Sequence, residues 1–99
     1  MRLNKDQISA IRHIVADTAG ASAQVRLFGS RLRDAAAGGD LDLFVELPSA
    51  VEHPAALSAR LATRISRTLY GRRVDVLVLA PNLRRLPIHD IALREGQSL

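Results

Sequence analysis

The chain has 99 residues, of which 47% are hydrophobic and 24% are charged, so a single small domain over residues 1–99 is expected. This hydrophobic fraction is too high for an intrinsically disordered chain. The formal net charge of +4 favours phosphates and acidic surfaces as ligands, and the absence of cysteine excludes disulfides, thiolate metal sites and a cysteine nucleophile.

Two further classes of protein are disfavoured by composition. No apolar run approaches the roughly 20 residues that a membrane helix requires, and the first residues lack the apolar core of a signal peptide. Aromatic residues make up only 3% of the chain, which argues against a surface that stacks single-stranded bases. We therefore expect a cytoplasmic protein without membrane contact.

Apolar residues at helical spacing predict helices over residues 5–19, 30–37 and 54–70 and from Pro87 to Gly96. Asn4 and Gln7 form the pattern of a capping box before the first helix. Pro54 and Pro87 occupy first helical positions, where proline is favoured. Gly71 is predicted as the residue just after the end of the long helix.

Three short segments predict strands, over residues 24–28, 40–47 and 72–79. Because these strands alternate with helices, the fold class is α/β (α+β), with a small sheet of three or more strands flanked by helices. The connection from Phe28 to Asp40 is close to the minimum length for a parallel crossover, so the sheet is expected to be mixed.

Acidic residues interrupt the second and third strands. Asp40 and Asp42 are two residues apart, so both side chains lie on one face of the strand, about 7 Å apart. Leu41 and Leu43 lie on the opposite face and fix this register. Buried carboxylates need partners or a metal, so this pattern predicts a site rather than a packing surface.

Asp75 repeats this pattern in the third strand, where apolar residues stand on both sides of it. If the second and third strands pair, three carboxylates converge within a few ångströms, because neighbouring strands lie about 4.8 Å apart. Carboxylates prefer hard cations, so Mg²⁺ is expected, with Mn²⁺ as the alternative. Three acids can hold two such ions, an arrangement suited to phosphoryl transfer. The structural alternative for Asp75 is an ion pair with Arg26 or Arg73.

A strand that ends in Gly29-Ser30 and continues into a helix favours phosphate binding. Helix N-termini present free N–H groups to a phosphate, and glycine permits close approach of the backbone. The Ser30 hydroxyl adds a hydrogen bond, and Arg31 and Arg33 can neutralise a triphosphate. Ser30 is not expected to act as a covalent nucleophile, since no histidine is placed in the sequence to suggest a base.

Gly29-Ser30, nine further residues, Asp40-x-Asp42 and an apolar strand carrying Asp75 together resemble the DNA polymerase β-like nucleotidyltransferase superfamily, in particular its minimal nucleotidyltransferases. The resemblance implies the polymerase β-like fold, with Gly29 and Ser30 at the triphosphate of ATP and the three acids holding two Mg²⁺ ions. It also implies that Asp75 helps to deprotonate the attacking hydroxyl. Asp34 stands where many minimal members carry glycine, which leaves the roles of the neighbouring arginines open.

Minimal nucleotidyltransferases are often antitoxins, so the resemblance implies transfer of AMP to a tyrosine of a helical HEPN ribonuclease toxin, with which the chain would form a hetero-oligomer. Two alternatives stay open at this point. One is an antitoxin that neutralises its toxin by binding alone, and the other is a nucleotidyltransferase that acts on RNA. RNA affinity that falls steeply with salt would favour the latter.

Several other side chains receive a structural interpretation. Arg60, Arg64 and Arg67 follow one side of the long helix, as a solvated face or as a docking surface for an acidic partner or nucleic acid. Tyr70 is expected in the core or in an interface. His13, His53 and His89 lack the spacing of metal ligands and receive no functional role.

Overall fold

A computed structural model describes residues 3–28 and 41–99, and the predicted helix over residues 30–37 lies outside them. The described elements are α1 (Lys5–Ala19), β1 (Gln24–Phe28), β2 (Leu41–Glu46), α2 (Pro54–Thr68), β3 (Val74–Leu79), α3 (Pro87–Glu95) and β4 (Gln97–Ser98). The predicted bounds of the first helix and the first strand are confirmed.

The four strands form one mixed sheet in the order β3-β2-β1-β4. Strand β2 is parallel to β3 and antiparallel to β1, and β4 is antiparallel to β1. The predicted α/β class and mixed sheet are therefore confirmed. Because β1 and β2 are antiparallel, the residues between them need not form a parallel crossover.

The main core lies between one face of the sheet and helices α1 and α2. The alternating residues of β2 that were predicted to face away from the acids, Leu41, Leu43 and Val45, are fully buried there. Helix α1 contributes Ile11 and Val15, and α2 contributes buried residues to the same cluster. The period-two pattern of β2 thus matches the face that the two helices cover.

A smaller core occupies the other face of the sheet, beneath α3. Phe44 from β2 is fully buried there and packs with Leu79 and Ala92. His89 of α3 is also buried, and its ring lies 6.1 Å from the Phe44 ring in a tilted arrangement. Its Nδ1 accepts the Leu86 N–H at 2.9 Å, which satisfies a free donor at the start of α3.

The end of α2 differs from the prediction. The cap is Leu69, so Tyr70 follows it with a φ of 60°, and Gly71 comes one residue later with a φ of 82°. The Gly71 N–H donates to the Ser66 carbonyl at 2.8 Å, as in a Schellman closure. A tyrosine thus holds the left-handed position that glycine usually takes, and its side chain is 97% exposed rather than in the core.

Strand β4 was not predicted from the sequence. Its two residues pair with Arg26 and Leu27 of β1, and the Leu99 N–H donates to the Val25 carbonyl at 3.1 Å. At the opposite edge of the sheet, which is formed by β3, the Ser58 hydroxyl of α2 donates to the Val76 carbonyl at 2.6 Å. Both contacts satisfy backbone groups near a sheet edge.

None of the helices within residues 3–28 and 41–99 combines the length and apolar character needed to cross a membrane.

Candidate active site

One edge of the sheet brings together the end of β1 and the beginnings of β2 and β3. Asp42 pairs with Phe28 of β1 on one side and with Asp75 of β3 on the other. Because β1 runs antiparallel to β2 and β3 runs parallel to it, the end of β1 lies beside the starts of β2 and β3. Phe28 and Leu41, the described residues on either side of the gap at 29–40, therefore lie at the same end of the sheet.

Asp42 and Asp75 are directly opposite each other in the parallel ladder, so their side chains share one face of the sheet. Paired residues on neighbouring strands lie about 4.8 Å apart, and two carboxylates at such a separation repel each other unless a cation lies near them. Asp42 is half-buried, and the Asp75 side chain is 53% exposed. The expectation that these two strands pair is confirmed.

The other predicted site residues lie outside the described part of the chain. These residues are Gly29, Ser30, Arg31, Arg33 and Asp40, and Asp34, which departs from the family pattern, also lies outside the described residues. The structure positions their neighbours, since Phe28 and Leu41 are paired strand residues at or next to this edge. Within residues 3–28 and 41–99, no three metal-ligating side chains come together.

Arg73 lies beside Asp75, and this is the ion pair expected from the sequence as the structural alternative for Asp75. Its carbonyl accepts the Leu41 N–H at 3.0 Å, so its backbone extends the β2–β3 ladder by one residue. Its Nε lies 3.8 Å from Oδ1 of Asp75, and both side chains are more than half exposed. An ion pair this long and exposed contributes little to stability, but it keeps a cation next to Asp75.

Arg64 is not part of a uniform row of solvated arginines. Its guanidinium donates to the Asp17 carboxylate at 2.8 Å and to the Thr18 hydroxyl at 2.5 Å. This hydrogen bond and the positive charge of Arg64 lower the pKa of the Asp17 carboxyl. Arg64 therefore joins α2 to α1, whereas Arg60 and Arg67 are exposed.

Comparison of the chain with known protein families gives a match. Residues 8–98 match the model of the nucleotidyltransferase domain. No curated protein shows significant similarity to the chain.

Two solved structures share the fold. A crystal structure of a toxin–antitoxin with AMP-PNP has a TM-score of 0.73 and 18% sequence identity, over 97% of this chain and 72% of that chain. A crystal structure of the toxin–antitoxin MntA-HpeT, with a tyrosine-to-alanine substitution, has a TM-score of 0.65 and 18% identity, over 98% of this chain and 71% of that chain.

The match to the family model covers most of the chain, from α1 to the end of β4, and includes both paired acids. The similarity in fold to the two solved structures agrees with it. The chain therefore belongs to the nucleotidyltransferase domain family.

Proposed function

We propose that this protein is an antitoxin that transfers AMP from ATP to a hydroxyl of its toxin. The observation that carries the proposal is the pairing of Asp42 with Asp75 in a chain of the nucleotidyltransferase family. Two carboxylates held side by side suit a site that binds cations and, through them, phosphates, and the Arg73 guanidinium already places one positive charge beside Asp75. A packing role would not require this arrangement.

The proposed reaction is a nucleotidyl transfer in one step. The acceptor oxygen attacks the α-phosphorus of ATP and forms a new P–O bond. The bond from that phosphorus to the oxygen bridging to the β-phosphate breaks, and pyrophosphate leaves. The acceptor proton passes to the Asp75 carboxylate and then to water. Catalysis comes mainly from positioning and charge neutralisation.

Residues 29–33 would hold the triphosphate in this proposal. The Gly29 backbone and the Ser30 hydroxyl would donate hydrogen bonds to it, and the guanidinium groups of Arg31 and Arg33 would balance its charge. These residues directly follow Phe28, which is paired with Asp42. The phosphates would therefore lie beside the acids.

Asp40, Asp42 and Asp75 would hold Mg²⁺, since carboxylate oxygens are the ligands that this hard cation prefers. The paired register of Asp42 and Asp75 fits such a donor set. When bound, the two ions would neutralise charge that develops on the phosphates. The contribution of the chain is to fix two of the carboxylates on neighbouring strands.

The proposed acceptor is a tyrosine of a helical HEPN ribonuclease toxin. The two similar structures described above are toxin–antitoxins, and one of them contains AMP-PNP, an ATP analogue. These complexes support a toxin as the partner and ATP as the donor. The choice of a tyrosine as acceptor and of a HEPN ribonuclease as toxin rests on the family resemblance of the sequence.

The test is incubation of the protein with its cognate toxin, Mg²⁺ and ATP labelled at the α-phosphate. We expect wild type to label the toxin and Asp42→Asn or Asp75→Asn to reduce the rate by about a hundredfold or more, because each removes a carboxylate that would hold Mg²⁺ at the phosphates. Glu46→Gln is the matched control. It neutralises an acid on the same face of β2, at the far end of the strand, and should leave the rate within about twofold.

Two outcomes would overturn the proposal. Label that persists in the Asp42→Asn variant would place the chemistry elsewhere. A stable complex with toxin, formed equally by wild type and by Asp42→Asn without any label, would make the protein an antitoxin that acts by binding alone. Circular dichroism of each variant must match that of wild type, so that unfolding is not mistaken for lost chemistry.

A further inference from the structure

The end of α2 and the turn that joins it to β3 present a basic and aromatic surface that the proposed transfer reaction does not use. We call residues 67–73 the basic turn. It contains Arg67, Tyr70, Arg72 and Arg73. Arg67 is exposed, Tyr70 is 97% exposed, and the Arg73 side chain is 73% exposed. Packing within the domain gives no reason to hold its single tyrosine fully in water.

The backbone of the basic turn holds the tyrosine outward. The bond from the Gly71 N–H to the Ser66 carbonyl closes the helix end, and Tyr70 adopts a left-handed φ of 60°. Glycine, or asparagine, is the ordinary residue at this position. Because the side chain is exposed, no packing within the described chain explains the use of tyrosine there.

The basic turn is continuous with the candidate active site. Arg73 extends the β2–β3 ladder at Leu41, and Asp75 follows two residues later. An acceptor residue that reaches Asp42 and Asp75 therefore brings its neighbours within reach of this turn. Residues that flank the acceptor hydroxyl would meet guanidinium groups and an exposed phenol ring.

We infer that the basic turn docks acidic side chains that flank the acceptor hydroxyl of the target protein. This inference rests on the proposed transfer to a protein. Arginine presents a planar fork that pairs with carboxylates through two hydrogen bonds. Tyrosine and arginine are also the residue types that dominate binding energy in protein interfaces. The substrate class is thus an acceptor in an acidic stretch.

A protein partner explains this surface better than RNA does. Binding of single-stranded RNA depends on several aromatic rings that stack successive bases. Of the three aromatic residues in the chain, Phe44 is fully buried and Phe28 packs against the core beneath α3. Of these three residues, Tyr70 is left as the single exposed ring, which is too few for a surface that stacks successive bases.

The first experiment measures binding without chemistry. The full chain is titrated with a fluorescent random copolymer of glutamate and tyrosine, and separately with a copolymer of lysine and tyrosine, in the absence of ATP. We expect the acidic copolymer to bind at least tenfold more tightly, and its affinity to fall with added salt. Equal affinity for the two copolymers would overturn the inference.

Charge reversal within the basic turn locates the binding surface. Arg67→Glu should weaken binding of the acidic copolymer about tenfold, and Tyr70→Ala should weaken it severalfold. Arg60→Glu is the matched control, since it makes the same charge change on the same helix about 10 Å away and should change binding less than twofold. An equal loss in Arg60→Glu would mean that net charge alone attracts the copolymer.

Transfer assays with the same acceptors separate this inference from the proposed function. Arg67→Glu should lower kcat/KM for the glutamate–tyrosine copolymer and leave the rate with N-acetyltyrosinamide unchanged. Failure to label any of these acceptors or the toxin would count against the proposed function, and the binding result would still decide the docking surface. A labelled oligouridine that displaces the acidic copolymer at a lower concentration would overturn the inference in favour of RNA.

Discussion

At the scale of single residues, Tyr70 shows how a local signal can be misinterpreted. A lone tyrosine near the end of a helix is usually partly buried, because its ring has a large apolar surface. Here the ring is 97% exposed, and the backbone is in the left-handed region. For a residue with a Cβ atom this conformation costs about 1–2 kcal/mol relative to the right-handed helix.

Tyr70→Gly is therefore expected to stabilise the protein. Glycine relieves the left-handed strain, and about 0.5–1 kcal/mol of this gain is offset by the greater freedom of glycine in the unfolded chain. The expected net gain is about 0.5–1 kcal/mol, or a few degrees in Tm. Thermal unfolding measures it, with Tyr70→Ala as the control that removes the ring but keeps the strain. A gain that is equal in both variants would mean that the ring itself destabilises the protein.

At the scale of elements, a polar contact joins α1 to α2 beside the main core. The Arg64 guanidinium donates to the Asp17 carboxylate and to the Thr18 hydroxyl near the end of α1. The hydrogen bond from Arg64, and then its charge, lower the pKa of Asp17 from its ordinary value of 3.8. The unfolded chain consequently binds more protons than the folded chain as the pH falls through this range.

The Asp17–Arg64 pair is expected to lower the free energy of unfolding as the solution becomes more acidic. Its contribution is fully present above the ordinary pKa of 3.8 and is lost as the pH falls through the lowered pKa of the folded protein. Urea unfolding should show that Asp17→Asn is less stable than wild type at neutral pH, with a difference that shrinks at the most acidic pH values. A difference that stays constant down to about pH 2 would contradict the role of the charge.

Two controls assign this effect to the ion pair. Arg60→Gln removes an exposed arginine of the same helix and should leave the pH dependence of stability unchanged. The double variant Asp17→Asn/Arg64→Gln should lose less stability than the sum of the losses in the two single variants, because both substitutions remove the same contact.

At the scale of the whole molecule, one thin sheet separates two cores of unequal size. The main core lies under α1 and α2, and the smaller core under α3 is built around Phe44. Phe44 lies on the same face of β2 as Asp42, two residues along the strand. The smaller core therefore supports the face that carries the paired acids.

Phe44→Ala is expected to cost about 3–5 kcal/mol, because it removes the largest fully buried side chain among the described residues. A domain of this size has a total stability of about 5–15 kcal/mol, so the variant should be close to unfolding at 37 °C. Urea unfolding measures the loss. Ile88→Ala, at an α3 residue that is 41% exposed, is the control and should cost less than about 1 kcal/mol. Similar losses in both variants would show that α3 and β2 do not form a packed core.

Much of the fold was predictable because its signals are local. The capping box at Asn4 and Gln7 and the alternation of β2 depend on residues near one another in the chain. The ends of the predicted strands were less accurate, since strand 72–79 begins at Val74 in the structure. Strand β4 has two polar residues and no periodic pattern, so only its pairing with β1 identifies it.

The sequence by itself determined the order of α1, β1, β2, α2, β3 and α3, the core face of β2 and the residue types of the candidate site. These depend on periodicity and on contacts within a few residues. The tertiary structure alone decided that Asp42 lies opposite Asp75, that Arg64 reaches Asp17 and that Tyr70 is exposed to water. Strand register and exposure result from packing between segments far apart in the chain, and no local pattern carries that information.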